Sequence, residues 1–345
     1  YIFFLALVLF FNEFSTNIAL SKNYNVLDIK VEERYDINFD KSEVINNAFK
    51  DAFKVLIFKL IESKDRSKIK NITLKDKKNL IENFSISDEQ FINNNYIGHF
   101  NVQFSKRKIL NYLNNIDIIP SSPKEIEILL LPVLIDMDKN ELYYLNQNNF
   151  YNNWNLNSKK YHLINYVLPN EDIEDYDIIK RNINNIENYN FKEITKKYSL
   201  TNEIILIMLK SNLELRVFSK IKFEKNKLLL NKIYNLDNNS KDEINTIIFD
   251  IKDNFEDKWK STNKINTSLK IPIRLSTRSS NSIFLEELEN ILSSIDLISK
   301  YEIEMFNNKE IIYKIIFNGN PNKLLDIMNL YDFKVDTSNE IWKIQ

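Results

Sequence analysis

The sequence predicts a mixed α/β and α+β protein: two mixed α/β units followed by a ferredoxin-like β-α-β-β-α-β unit. Three observations carry the prediction. Strand-type and helix-type hydrophobic periods alternate along residues 25–260. A near-continuous apolar run, EIEILLLPVLID at 125–136, has the character of a strand covered on both faces. Residues 266–345 then show strand, helix, hairpin, helix and a closing strand pair, in the order of the split unit.

Taken in order, residues 25–35 alternate as a strand. A helix follows at 41–62, where Ile45, Ala48, Phe49, Ala52, Phe53, Leu56 and Leu60 recur every three or four positions. Shorter helical pieces are expected over 74–92. NYIGHFNVQF at 95–104 puts Tyr96, Phe100, Val102 and Phe104 on one face and His99, Asn101 and Gln103 on the other, a half-buried strand with His99 on its polar side. A helix at 105–115 closes the first unit, and SSPKE at 121–125 reads as a linker. After the 125–136 strand, further strands are expected at 161–168 and 203–211, with helices between. Three strand-like runs from 203 to 233, separated by short polar breaks, predict an antiparallel meander. A helix spans 241–259: Ser240 and Glu243 form a capping box, and Ile244, Ile247, Ile248, Ile251, Phe255 and Trp259 form one stripe.

In the last segment, SLKIPIRLS alternates Leu269, Ile271, Ile273 and Leu275. A helix at 281–295 aligns Leu285, Leu288, Ile291, Leu292 and Ile295. Strands at 299–306 and 309–317 flank Asn307-Asn308, a two-residue hairpin signal. Pro321 stands at a helix start. The division expected from these elements is a leader at 1–21, an α/β domain at 22–120, an α/β domain with a meander at 124–262, and a ferredoxin-like domain at 266–345.

Composition excludes several function classes. The chain has no cysteine, which removes disulfides, a thiolate nucleophile and cysteine metal sites. Its two glycines, Gly98 and Gly319, cannot build a phosphate-cradling loop or a dinucleotide fingerprint, so no cofactor is expected. Net charge is −1, and the basic runs are short: Lys106, Arg107 and Lys108 open a helix, and 220–227 alternates basic and apolar residues. No long basic stripe exists to displace counterions from nucleic acid, so no nucleic-acid partner is expected.

Residues 1–11, YIFFLALVLFF, are unbroken apolar, too short to span a bilayer and of the right length for the core of a secretory signal. Ala19 and Ser21, small and two apart, place cleavage after Ser21. An uncleaved anchor or a buried helix are the other readings of this run. Export without cysteine suits the periplasm of a Gram-negative bacterium, with no transmembrane span in the mature chain.

LPNEDIEDYDII at 168–179 carries five acidic residues in the seven positions 171–177. Three readings stay open. Asn170 can cap a helix whose first turn holds Glu171 and Asp172, where carboxylates complement the dipole. Asp172, Glu174, Asp175 and Asp177 can offer oxygens to a hard cation, although the run lacks the glycine of a calcium loop. A pair of carboxylates can perform acid/base chemistry if their environments separate their pKa values. His162 lies just upstream, without a nucleophile and an orienting partner beside it in sequence, and reads as packing.

The same stretch resembles the Leu-Pro-two-any-Asp-any-Glu-Asp pattern of the proteobacterial family called domain of unknown function 2066, through Leu168, Pro169, Asp172, Glu174 and Asp175. NAFKDAFKVLIFKL, NVQFSKRKILNYL, EILLLPVL and FKEITKKYSLTNEIILIML resemble further stretches of that family, in the same order. The chain departs from it at ESKDR and at IIPSSPKE, where members often carry a glycine and a tryptophan-glycine pair. The resemblance implies an exported envelope protein and carries over no catalytic residues. The middle unit is also similar to the amino-terminal domains of TolB-like periplasmic assembly factors. The expected function is a non-enzymatic binding or assembly module with an envelope protein partner. The alternative is a carboxylate-based, metal-dependent enzyme or metal binder centred on 171–177.

Overall fold

The structure, a computed structural model, describes residues 24–344 apart from 157, 225, 238, 239 and 267. The apolar leader and the expected cleavage after Ser21 lie outside the described residues. The protein is mixed α/β with three sheets, as expected. It falls into two compact units. Among the described residues, one holds 24–52, Thr73–Pro120 and 265–344; the other holds Phe53–Ile72 and Ser121–Lys264.

The N-terminal sheet belongs to the first unit. It comprises β1 (Asn25–Arg34), β2 (Ile81–Ile92) and β3 (Asn95–Phe104), in the order β1-β3-β2 and antiparallel throughout. Between β1 and β2 run α1 (Lys41–Leu60), which crosses the boundary between the units, and α2 (Leu74–Leu80). The expected helical character of 74–92 holds only to Leu80. Residues 81–92 form a strand because β3 supplies their backbone partners, although their side chains are mostly exposed and show no clean alternation. β3 alternates as its sequence predicts, with Tyr96, Phe100, Val102 and Phe104 buried. Gly98 lies between two of those rings, and a Cβ there would come within 2.8 Å of both Phe100 and Tyr96. His99 is on the other face and pairs with Asp28, which sits in a bulge of β1 at φ 55°. α3 (Lys106–Asn115) follows directly.

The middle sheet belongs to the second unit. Its strands are β4 (Ile126–Asp136), β5 (Glu141–Tyr143), β6 (Ile164–Val167), β7 (Glu203–Ser211), β8 (Glu214–Phe223) and β9 (Asn226–Asn235). The order is β5-β4-β7-β8-β9, with β6 sharing an edge of β4. β4 is parallel to β6 and β7, and β7-β8-β9 is the predicted meander. Its helices are α4 (Asn149–Asn153), α5 (Ile173–Arg181), α6 (Lys192–Thr195) and α7 (Lys241–Thr262). The unbroken apolar run of β4 has a simple cause. Ile128 and Leu130 pack in one core with Trp154 and Ile248, Ile251 and Phe255 of α7. Leu131, Val133 and Ile135 pack in another with Ile178, Ile179 and Phe191. Pro132 is tolerated in this central strand because its outer edge changes partner there. β6 pairs with 126–129 and β5 with 134–136, so no ladder bond is lost, and the Asn148 side-chain amide donates to the Pro132 carbonyl (3.3 Å).

The C-terminal sheet completes the first unit. It holds β10 (Ile271–Arg278), β11 (Ile298–Phe306), β12 (Glu310–Phe317), β13 (Val335–Asp336) and β14 (Ile341–Ile344), with α8 (Ser282–Ser294) and α9 (Pro321–Leu330) as its helices. The order β11-β12-β10-β14-β13 keeps the interleaving of the ferredoxin-like unit, in which the third strand separates the first two. Its last position is filled by a small hairpin, so β14 runs parallel to β10 instead of antiparallel. Asn281 and Asn320 cap the two helices through their side chains. Among the described residues, no helix is long and apolar enough to cross a membrane.

Candidate functional site

The acidic stretch leaves β6 through Leu168, which packs on the α7-side core, and Pro169, whose carbonyl accepts from the Tyr151 hydroxyl (2.9 Å). The helix begins later than the sequence suggests. Asp172, not Asn170, is the cap: its Oδ1 accepts from the Glu174 amide (2.8 Å), and Glu174 and Asp175 occupy the first turn. The Asn170 amide is instead held by the Tyr198 hydroxyl oxygen (3.2 Å). Three of the four candidate metal ligands converge, and they converge on a lysine. Lys197 Nζ lies 2.6 Å from Asp172, 2.8 Å from Asp175 and 3.9 Å from Glu174. Asp177 is not part of this group; its carbonyl accepts from Arg181 Nε. Asp175 is fully buried, and its second oxygen has no hydrogen-bond partner among the described residues.

The electrostatics follow from this placement. Lys197 is held above its ordinary pKa by hydrogen bonds from its ammonium to Asp172 and Asp175. Asp172 is held below the usual carboxylate range, chiefly by the same lysine. The carboxylates also face the positive end of the α5 dipole. The Lys197 ammonium thus sits among the three carboxylates. Among the described residues, no group of three or more His, Asp or Glu is placed to hold a metal ion. Lys197→Ala is expected to lower unfolding free energy by about 1–3 kcal/mol, because the buried Asp175 carboxylate loses its charged partner. Urea denaturation of the variant beside the parent checks this.

A second cluster of charge, not anticipated from sequence, lies on α7. Lys252, Glu256 and Lys260 recur every fourth residue and are all at most 2% exposed. Each is tied to backbone. Lys252 Nζ donates to the Trp154 carbonyl (2.5 Å) and lies 5.5 Å from the Trp154 and Tyr166 ring centres. Glu256 Oε1 accepts from the amides of Leu163 and Ile164, each at 2.9 Å, at the start of β6. Lys260 Nζ donates to the Phe58 carbonyl (2.6 Å). Burial drives the pKa values: Lys252 is brought down to about 8, Lys260 is lowered and Glu256 is raised. Trp154 Nε1, Tyr166 Oη and Glu256 Oε2 are buried without hydrogen-bond partners among the described residues.

The neighbouring row of α7 is tied down in the same way. Arg66 forms a two-pronged bond with Asp253 (2.8 and 2.9 Å) and stacks over Phe58 at 4.7 Å. Ser63 donates its amide and hydroxyl to Asp257. His162 lies beside this row, its Nδ1 accepting from the Lys159 amide (3.4 Å), and burial with nearby Lys252 takes its pKa down to about 4. The ionisable side chains of α7 therefore act as struts between the helix and three separate stretches of backbone. In sequence, 252, 256 and 260 flank the apolar stripe by one position each, which is the only signal that sets them apart from a solvated face.

No protein-family model matches the chain, and no curated protein matches it.

Proposed function

We propose that the chain is an exported envelope protein that acts as a non-enzymatic binding or assembly module. The observation that supports this reading is that, among the described residues, each sheet ends on a strand with no further strand on its outer edge and with exposed apolar side chains. β2 presents Phe84, Phe91 and Ile92; β9 presents Leu229 and Ile233; β11 presents Ile303, Met305 and Phe306. Such an edge offers unpaired N–H and C=O groups, and an extended segment of a partner can add to it as a further strand. The resemblance to the exported family and the apolar leader support the envelope location. In this reading the ionisable clusters are structural, since their charges hold helices α5 and α7 in place.

The test is site-specific photocrosslinking in intact cells, with the photoreactive residue placed at Ser87 on β2, Asn231 on β9 or Ile303 on β11. One dominant envelope protein captured at one of these edges is the expected result. Random capture at all three, equal to that at a control position on the helix surface, would overturn the reading.

A further inference from the structure

The β9 edge differs from the other two in what lies beside it. A groove of about 500 Å³ opens at the start of β9, between the meander and the segment 188–192. Lys192, Lys220, Lys222 and Lys227 line it, and among the described residues Glu203 is the single lining carboxylate. This is a concentration of positive charge in a chain whose net charge is −1. Lys222 and Lys227 stand directly opposite each other in the β8-β9 ladder, a like-charge cross-strand pair that works against the sheet. Lys220 is held in place by its bond to the Tyr189 carbonyl (2.9 Å) and lies 5.7 Å from the Phe191 ring centre. The walls are partly apolar, from Phe191, Tyr189 and Leu229. Leu229 is 65% exposed and Ile233, further along the same face of β9, is 60% exposed.

We propose that an acidic extended segment of a partner protein pairs with the open edge of β9 and places its carboxylates among Lys192, Lys222 and Lys227. Charge complementarity identifies the occupant: four lysines line the groove, and Glu203, opposite Lys222 in the β7-β8 ladder, is the lining carboxylate that faces them. The exposed apolar side chains of Leu229, at the wall of the groove, and Ile233, beyond it, identify it as a chain. A small anion would fill the lysine pocket and leave Leu229 and Ile233 uncovered, whereas a strand that presents acidic and then apolar residues at every second position, along one face, covers both, because Lys227, Leu229 and Ile233 share one face of β9. The inference rests on the binding-module reading and names which edge and what partner chemistry that reading would use.

The experiment uses the full chain and a fluorescein-labelled decapeptide in which every second residue is threonine and the residues between are glutamate in one half and valine in the other, so that both kinds share one face, followed by fluorescence anisotropy at low and at physiological ionic strength. Binding is expected, weaker at the higher salt. The double variant Lys222→Glu with Lys227→Glu, shown by thermal unfolding to be folded, is expected to weaken it by about tenfold or more. Lys192→Glu gives a second variant, outside the ladder, with a loss in the same direction. The same peptide N-methylated at alternate residues is expected to lose binding, because it cannot complete a ladder. Equal binding of the same decapeptide with lysine in place of glutamate, an unchanged affinity in both variants, or retention by the N-methylated peptide would each overturn the proposal. So would full displacement by inorganic phosphate, which identifies a small-anion site, or tighter binding of labelled oligothymidylate, which identifies a nucleic-acid groove. Failure here is distinguishable from failure of the module reading: crosslinking of one partner through Ser87 or Ile303 leaves that reading standing while this proposal falls.

Discussion

Replacing Glu256 with alanine is expected to cost about 3–5 kcal/mol of unfolding free energy, the range for breaking a buried charge arrangement from one side. The loss has two sources. The amides of Leu163 and Ile164, both bonded to Glu256 Oε1, are left unpaired at the start of β6. Lys252 and Lys260, one turn away on either side and almost fully buried, lose the carboxylate that moderates their burial. Glu256→Gln separates the two. Its side-chain oxygen still accepts both amides while the charge is gone, so it is expected to lie between the parent and Glu256→Ala. Urea denaturation of the three proteins gives the ordering; an alanine variant as stable as its parent would show that the row is not a set of struts.

Acidification is expected to destabilise the fold through His162. In an unfolded chain a histidine takes its proton near pH 6.5, whereas in the folded protein His162 does so only near 4. Burial is the main cause, with the positive charges of Lys252, Lys260 and Arg66 acting in the same direction and Asp253 against them. Between those values the unfolded state binds more protons than the folded one. Stability therefore falls as pH drops from about 6.5 to about 4, by at most about 3 kcal/mol, a ceiling that solvent reaching the partly exposed ring lowers. His162→Gln keeps an acceptor for the Lys159 amide and removes the titration. The difference in unfolding free energy between parent and variant, measured across that window, is expected to move toward the variant as pH falls. A constant difference would show that His162 does not carry the effect.

Much of the fold was legible in the chain because it depends on local periods. The alternation of 95–104, the stripe of α7 and the order of elements after 266 are set by side chains reporting which face is buried. Ser240 accepts from the Glu243 amide as the capping box requires, and the Glu243 carboxylate accepts from the Asp237 amide. Strand β2 was not legible. It is an edge strand with no fully buried side chain, and it is a strand because β3 lies alongside to pair with its backbone.

The acidic stretch shows the same boundary at the level of a site. Five carboxylates between 171 and 177 were evident in the sequence, but the partner of Asp172 and Asp175 is Lys197, more than twenty residues away along the chain. Only folding brings it between Asp172 and Asp175. Likewise 252, 256 and 260 share a helix face by spacing alone, yet whether that face meets water or the backbone of Trp154, Leu163 and Phe58 is decided by packing. By itself the sequence determined the absence of cysteine, the scarcity of glycine, the alternation of strands and helices and the near-neutral charge, all properties of neighbours along the chain. The tertiary structure decided which charges are paired, which strands are edges and where four lysines meet in one groove, because these depend on residues distant in sequence arriving within a few ångströms of each other.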